Sequence, residues 1–373
     1  MLRKSVVGLA AVAAVLAGTV PAAAVSGGTP VPDPAAAPWM ATIASVGDDP
    51  LTLRAFCGGV LIAPDRIATA GHCLDHGDPT RWEVYLGSST LSAHPGKMVK
   101  IKGFAVHQGF RLIPSGVAPE LPHSSAVADD VAIIQLAEPQ WGTPFLPVAH
   151  RTPEVGAPVE IYGHGLTKQP APPDPLSAFG DVLQRGDLKV IDDKSCNSQL
   201  AGIVDGPSVL CTQAPATTIC AGDSGGPLVH DTLLGREVVG FASFAGEVLG
   251  KKCGEDGYAD GFADAAVFHD WLTRPRPVLA PMPLGEPRIT GSHTAGSTMT
   301  CQPPEWAPGA PVSSQYQWDH EITGKDGAKI YVAIDGATKA DLALDSELAS
   351  EKLLCALTAS TPGGTVEMYT DPV

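Results

Sequence analysis

Positive charge is scarce in this chain. Its 373 residues hold 24 Lys and Arg against 40 Asp and Glu, a formal net charge of -16. No basic run exceeds two residues. Nucleic-acid binders neutralise phosphates with clustered Lys and Arg, so this composition argues against that class. The acidity serves solubility instead. CxxC spacing is absent, and none of the 11 histidines falls into a ligand pattern. A metal site therefore has little support. No calcium loop is evident, and no cofactor is implied.

A long unbroken apolar run is missing as well. The stretch from Val6 to Val20 is interrupted by Gly8 and Gly18 and followed by Pro21. Arg3-Lys4 precede it and Ala22-Ala23-Ala24 follow it. A charged start, a short apolar middle and a small-residue end make a secretory signal. A membrane anchor would need a longer run. No lipid-attachment cysteine follows. The expected cut is after Ala24, which makes residues 1–24 a signal peptide and the mature protein secreted and extracellular, with no membrane span. Loss of Arg3 and Lys4 would take the net charge from -16 to -18.

What is present is more specific. Gly222-Asp223-Ser224-Gly225-Gly226-Pro227 sets one serine in a glycine-dense turn. A serine hydroxyl attacks poorly unless a base removes its proton. Thr69-Ala70-Gly71-His72-Cys73 supplies a histidine, and Asp129-Asp130-Val131-Ala132-Ile133-Ile134 a carboxylate. The order His, Asp, Ser is one of the arrangements that this machinery takes.

With Phe56-Cys57-Gly58-Gly59-Val60-Leu61-Ile62 ahead of the histidine, these segments resemble a trypsin/chymotrypsin-type secreted bacterial serine protease. The resemblance covers residues 25–274. It implies an all-β fold of two barrels with the triad in the cleft between them, closed by a short helix. It implies an endopeptidase acting on proteins or peptides, with His72 as general base, Asp130 as its orienting carboxylate and Ser224 as nucleophile. Asp129 is the rival carboxylate; Asp130 is preferred because it directly precedes the apolar run. The N–H groups of Gly222 and Ser224 would form the oxyanion hole. Asp223 would pair with a new N-terminal ammonium at Val25, since Val25-Ser26-Gly27-Gly28 resembles the mature start of the family, Ser26 departing from the usual aliphatic second residue. A protease-like binding protein without catalysis is the competing class; such proteins usually lack a triad member, and all three are here.

Specificity is less determined. The resemblance sets Thr218 at the floor of the primary pocket, where trypsin-like enzymes carry aspartate. Ser243-Phe244-Ala245 matches the strand that binds substrate backbone. Ungapped counting puts Asp260 at the pocket wall and would favour cleavage after Arg or Lys. A one-residue gap would put Gly261 there and Asp260 on the surface. Both readings stay open. The stretch 107–128, with Pro114, Pro119 and Pro122, is long for the family; it would overhang the cleft or be a tolerated insertion.

Eight cysteines follow the signal, an even number that suits four disulfides in an exported protein. The resemblance implies Cys57–Cys73, Cys196–Cys211 and Cys220–Cys253, which leaves Cys301 with Cys355. Short apolar runs such as Gly59 to Ile62, Arg81 to Leu86, Val131 to Leu136 and Glu237 to Phe241 read as strands. Phe262, Ala265, Ala266, His269 and Leu272 recur at helical spacing. Residues 275–287 are proline-rich and read as a semi-rigid linker. Residues 288–373 hold Cys301, Trp318 and Cys355 in the order of an immunoglobulin-type sandwich; a disulfide-stapled β-module of another topology is the alternative. Such a domain would bind a cell-surface or polymer ligand. The protein is expected to be a monomer.

Overall fold

A computed structural model describes residues 25–117, 126–166, 180–200, 202, 204, 206–255, 257–323 and 329–373. Residues 1–24, the expected signal peptide, and part of the long stretch before Asp130, with Pro119 and Pro122, lie outside the described residues.

Strands dominate because the apolar residues come in short runs. Met40–Ser45, Ala55–Ala63 and Ala132–Leu136 are buried almost throughout, so they read as runs rather than as alternation. The first barrel is a seven-stranded antiparallel sheet in the order Lys97–Val99, Trp82–Leu86, Met40–Ser45, Ala55–Ala63, Arg66–Thr69, Ala132–Leu136, Ile101–Val106. The second barrel runs Gln184–Val190, Pro158–Gly163, Pro227–Thr232, Gly235–Phe244, Asp260–Asp264, Val209–Gln213. Lys189 and Val190 pair with Gln213 and Thr212, which closes this ring. The short strand Thr29–Pro30 adds to it beside Gln184 and Arg185.

The periodicity around Phe262 is corrected by the structure. Phe262 lies in the strand Asp260–Asp264, and only His269–Leu272 is helical. The strand is flanked on both sides, by Val209–Gln213 and Gly235–Phe244, so two ladders of hydrogen bonds outweigh a helical spacing of apolar residues.

The four disulfides join Cys57 to Cys73, Cys196 to Cys211, Cys220 to Cys253 and Cys301 to Cys355. In the chain-entropy view, closing the 16-residue span to Cys73 contributes about 3 kcal/mol.

The C-terminal region is a β-sandwich. One sheet holds Arg288–Gly291, Thr298–Gln302 and Asp341–Ala343; the other holds Lys329–Ala333, Ser313–Thr323, Leu353–Thr361 and Gly364–Tyr369. Trp318 is fully buried between them, pairs in register with Cys355, and donates its indole N–H to the Lys339 carbonyl at 3.0 Å.

The proline-rich segment is no free spacer. The Ala280 N–H donates to the Phe104 carbonyl at 2.8 Å, and the Leu279 side chain lies against Gly103. The last hairpin docks beside it. The Val106 N–H donates to Gly363 O at 2.9 Å, and the Glu367 N–H to His76 O at 3.1 Å. Val366, Met368 and Ala280 belong to the same buried apolar cluster as Phe104 and Val106. The sandwich therefore packs on the first barrel next to the loop that follows His72.

Candidate active site

His72 stands in a single 3-10 turn, Gly71–Cys73, where the strand Arg66–Thr69 ends. Its neighbour Cys73 is tied to Cys57 on the adjacent strand, which holds the turn. Asp130 directly precedes the buried strand Ala132–Leu136, separated from it only by Val131. The pairing of that strand with Arg66–Thr69 sets Ala132 opposite Thr69, so the carboxylate and the imidazole meet. Asp130 Oδ1 accepts from the His72 backbone N–H at 2.8 Å, and Oδ2 lies 2.8 Å from His72 Nδ1. Two bonds from one carboxylate fix the imidazole plane and assign the proton to Nδ1. Nε2 is then the nitrogen for proton exchange.

A third donor reaches the same carboxylate, for the Ser243 hydroxyl bonds to Asp130 Oδ2 at 2.5 Å. The sequence suggests only a substrate-strand role for Ser243; the two sites are 113 positions apart, and no local signal joins them. Asp130 is only 1% exposed. Burial pushes its carboxyl up, but attraction to His72, the His72 and Ser243 side-chain bonds and the His72 amide together hold it below the usual carboxylate range. Burial pushes the His72 imidazole down, while the Asp130 charge and hydrogen bond carry it above the ordinary histidine value. Asp129 turns the other way. It takes a positive φ of 50°, and its carboxylate lies 3.4 Å from His107 Nδ1. It is thus a partner of His107 rather than a solvated loop residue.

Ser224 comes from the second barrel and is pressed onto the first. Its carbonyl accepts from the Gly58 N–H at 2.8 Å, beside Cys57. Gly225 has φ +73°, and a Cβ there would lie 2.1 Å from Thr69 Oγ1 and 2.6 Å from Gly58 O. Only glycine lets the serine turn come this close to the strand that leads to His72. Gly222 has φ +93°. Among the described residues, neither the Gly222 nor the Ser224 N–H donates to a backbone or side-chain acceptor.

Asp223 is fully buried, and its carboxylate accepts from the Gly165 and Cys220 N–H groups, both at 2.9 Å. A Cβ on Gly165 would fall 2.6 Å from Asp223 Cγ, so the close approach needs glycine. Val25 is fully buried in the core of the second barrel, packed on Gly186. Ser26 bridges to Thr218, whose N–H donates to Ser26 O at 3.2 Å. Between Gly163 and Gly165 sits a histidine that sequence reasoning did not single out. His164 is buried, with Nδ1 3.3 Å from Gly180 O and Nε2 3.3 Å from Ser88 O. Burial pushes it down to about 4.

Asp260 does not lie on the surface. It is fully buried, and its Oδ1 accepts from Thr218 Oγ1 at 2.6 Å. A surface position is excluded. Thr218 also lines a cavity with Ile219, Gly246, Lys251, Cys253 and Tyr258. Phe244 and Ala245 are buried, and the Phe244 ring covers Gly261. In the long stretch before Asp130, Arg111–Ile113 pairs with Ala126–Ala128, the Ser115 hydroxyl donates to Val248 O at 2.6 Å, and Ala126 shares a buried cluster with Phe244 and Val248. It packs on the strand that borders the pocket. The sulfurs of Cys57 and Cys73 lie near His72 but are spent in their disulfide, so they offer no thiolate to a metal.

Two antiparallel barrels, joined where a serine turn of one meets a histidine loop of the other, define a serine protease of the two-barrel class. The chain belongs to the trypsin family, whose model, described as Trypsin, matches residues 25–272. It is similar to trypsin iota of Drosophila melanogaster, 29% identical over 244 residues, 64% of this chain and 83% of that protein. It is 30% identical to brachyurin of Leptuca pugilator over 223 residues, 58% of this chain and 86% of the relative. Kallikrein-12 of Homo sapiens is 29% identical over 221 residues, 58% of this chain and 79% of that protein. Among solved structures, neuropsin, a serine protease expressed in the limbic system of mouse brain, shares the fold, with TM-score 0.51, 22% identity, and coverage of 65% of this chain and 96% of the other.

Proposed function

We propose that this trypsin-family protease cleaves peptide bonds with Ser224 as nucleophile, His72 as general base and Asp130 as the group that orients the imidazole. The observation that carries this reading is the double hold of Asp130 on His72, at the backbone N–H and at Nδ1. His72 takes the Ser224 proton as the hydroxyl attacks the substrate carbonyl, then delivers it to the leaving amine. The N–H groups of Gly222 and Ser224 receive the developing oxyanion; one such donor contributes about 2.7–4 kcal/mol in the transition state. An acyl-enzyme forms on Ser224 and water releases it.

Thr218 and Asp260 form the base of the primary pocket in this reading. A buried carboxylate beside the Thr218 hydroxyl favours a basic side chain, Arg or Lys, at the cleavage site. Ser243, Phe244 and Ala245 line the substrate strand. A peptide-library cleavage profile of the wild type beside Ser224→Ala and Asp260→Ala tests the assignment. Ser224→Ala should abolish turnover while its circular dichroism stays unchanged. Asp260→Ala should lose the preference for Arg and Lys. An unaltered preference discards the pocket assignment, and a folded wild type without turnover discards the catalytic one.

Export links to activity at Val25. Cleavage after Ala24 would create an ammonium on a residue already seated in the second barrel, and Asp223 would receive it. N-terminal sequencing of active secreted protein should read Val-Ser-Gly-Gly; any other start overturns the link. Secretion, a monomeric state and a binding role for an immunoglobulin-like C-terminal domain complete the proposal.

A further inference from the structure

The four-stranded sheet of the C-terminal sandwich has one face turned inward, with Trp318, Cys355 and Leu357. Strand alternation puts Asp319, Ala356, Glu367 and Tyr369 on the other face, and Tyr331, opposite Glu321, joins them. The strand Lys329–Ala333 is exposed along its whole length. Tyr331 and Tyr369 are 48% and 45% exposed, large aromatic surface to leave in water. Their rings reach toward each other across the two middle strands, nearly parallel at 22°, with centroids 6.3 Å apart.

Beneath these rings the charge is unbalanced. Asp319 lies on a middle strand and is only 7% exposed, yet no hydrogen-bond donor reaches its carboxylate among the described residues. Burial first, and then the charge of Glu367, push its carboxyl up, with His320 opposing them. Glu367 itself takes a hydrogen bond at 2.9 Å from the Tyr369 hydroxyl, an uncharged donor. That hydroxyl is pushed up to about 12 by burial, by the Glu367 bond and charge, and by Asp319. The described lysines of this face, Lys329 and Lys352, lie 3.1 and 3.5 Å from Glu321, a third carboxylate of the same face. Two neighbouring carboxylates, Asp319 and Glu367, repel each other, and a cation brought by a partner would relieve that repulsion.

We propose that this outer face binds the cationic side chain of a polypeptide, an arginine guanidinium or lysine ammonium, seated over Tyr331 and Tyr369 and against Asp319 and Glu367. Aromatic faces attract cations through their quadrupole, and the paired carboxylates supply the complementary charge. A guanidinium offers planar donors that suit both at once. The site stands on the C-terminal sheet alone and does not depend on the catalytic assignments.

The test uses the full chain carrying Ser224→Ala, so that peptide is not consumed. Isothermal titration compares tetra-arginine with tetra-citrulline, in which a neutral urea replaces each guanidinium. Tetra-arginine should bind and tetra-citrulline should not. Asp319→Asn and Tyr331→Ala should each weaken tetra-arginine about tenfold. Asp319→Asn removes a buried charge at constant shape, so it folds even where the tyrosine variant fails, and thermal melts check both. Repeating the titrations with Asp260→Ala added separates cleft binding from sheet binding. Equal binding by the parent and Asp319→Asn overturns the proposal, as does citrulline peptide binding as tightly as arginine peptide. Spermine that binds as tightly and is equally sensitive to both substitutions would overturn the polypeptide as occupant.

Discussion

The two barrels hold their shares of the site by different means. The second barrel is self-contained. Its ring closes through Lys189, Val190, Thr212 and Gln213, two disulfides staple its loops, and Val25 plugs its core. The first barrel has one disulfide, and its strand Ile101–Val106 stands at the end of the sheet. An open strand edge needs cover. The cover comes from far along the chain, from Ala280 on Phe104 and Gly363 on Val106. The serine half therefore supports itself, whereas the histidine and aspartate half leans on the C-terminal sandwich.

The largest effect should come from the chemistry of the first barrel. Asp130→Asn keeps the shape but leaves His72 in the wrong tautomer, and kcat should fall about 10⁴-fold with the fold intact. In the parent, kcat/KM should rise with pH through a His72 value above the ordinary histidine 6.5, because the base must be neutral. The associated stability runs in two windows. Asp130 contributes above the ordinary carboxylate value and is lost as pH falls through its lowered value. The contribution of His72 is complete below the ordinary histidine value and is lost as pH rises through the raised one. Stopped-assay pH profiles and pH-dependent melts separate the two.

Next comes the support itself. Met368 is 3% exposed in the cluster shared with Phe104. Met368→Ala should cost about 2–5 kcal/mol. Hydrogen exchange should then quicken in the first barrel before the second; equal loss of protection in both would break the comparison.

The second barrel has its own weakness, in acid. His164 is neutral and buried, and its value lies near 4 in the fold against 6.5 in the unfolded chain. Stability is therefore full above 6.5 and declines as pH falls toward 4, by about 3 kcal/mol in all. His164→Gln should flatten that decline in urea melts. An unchanged slope would clear His164 of the effect.

The catalytic constellation is legible because its parts are local. Ser224, His72 and Asp130 each sit inside a short motif, and the disulfides follow from the family resemblance those motifs carry. The supports are not. Val366 and Met368 alternate like residues of any strand, Leu279 and Ala280 stand in an irregular proline-rich stretch, and nothing nearby says that their partner is the strand of Phe104. The bond from Ser243 to Asp130 depends on a barrel-to-barrel approach that no spacing encodes. The position of Asp260 turned on a single residue of alignment that no local spacing encodes; its burial against Thr218 removes the surface reading. The apparent helix around Phe262 shows the reverse error, since two neighbouring strands overruled a local period.

The bond between Gly363 and Val106 has a consequence for biogenesis. A chain is made from its N-terminus, so residues 363–368 are made after both barrels. The strand they cover belongs to the first barrel to emerge. Until that final hairpin docks, the edge beside the His72 loop remains open, and a chain broken off early carries all its catalytic residues on an unfinished scaffold. Docking of the hairpin at Gly363 thus finishes the edge on which the His72 loop rests.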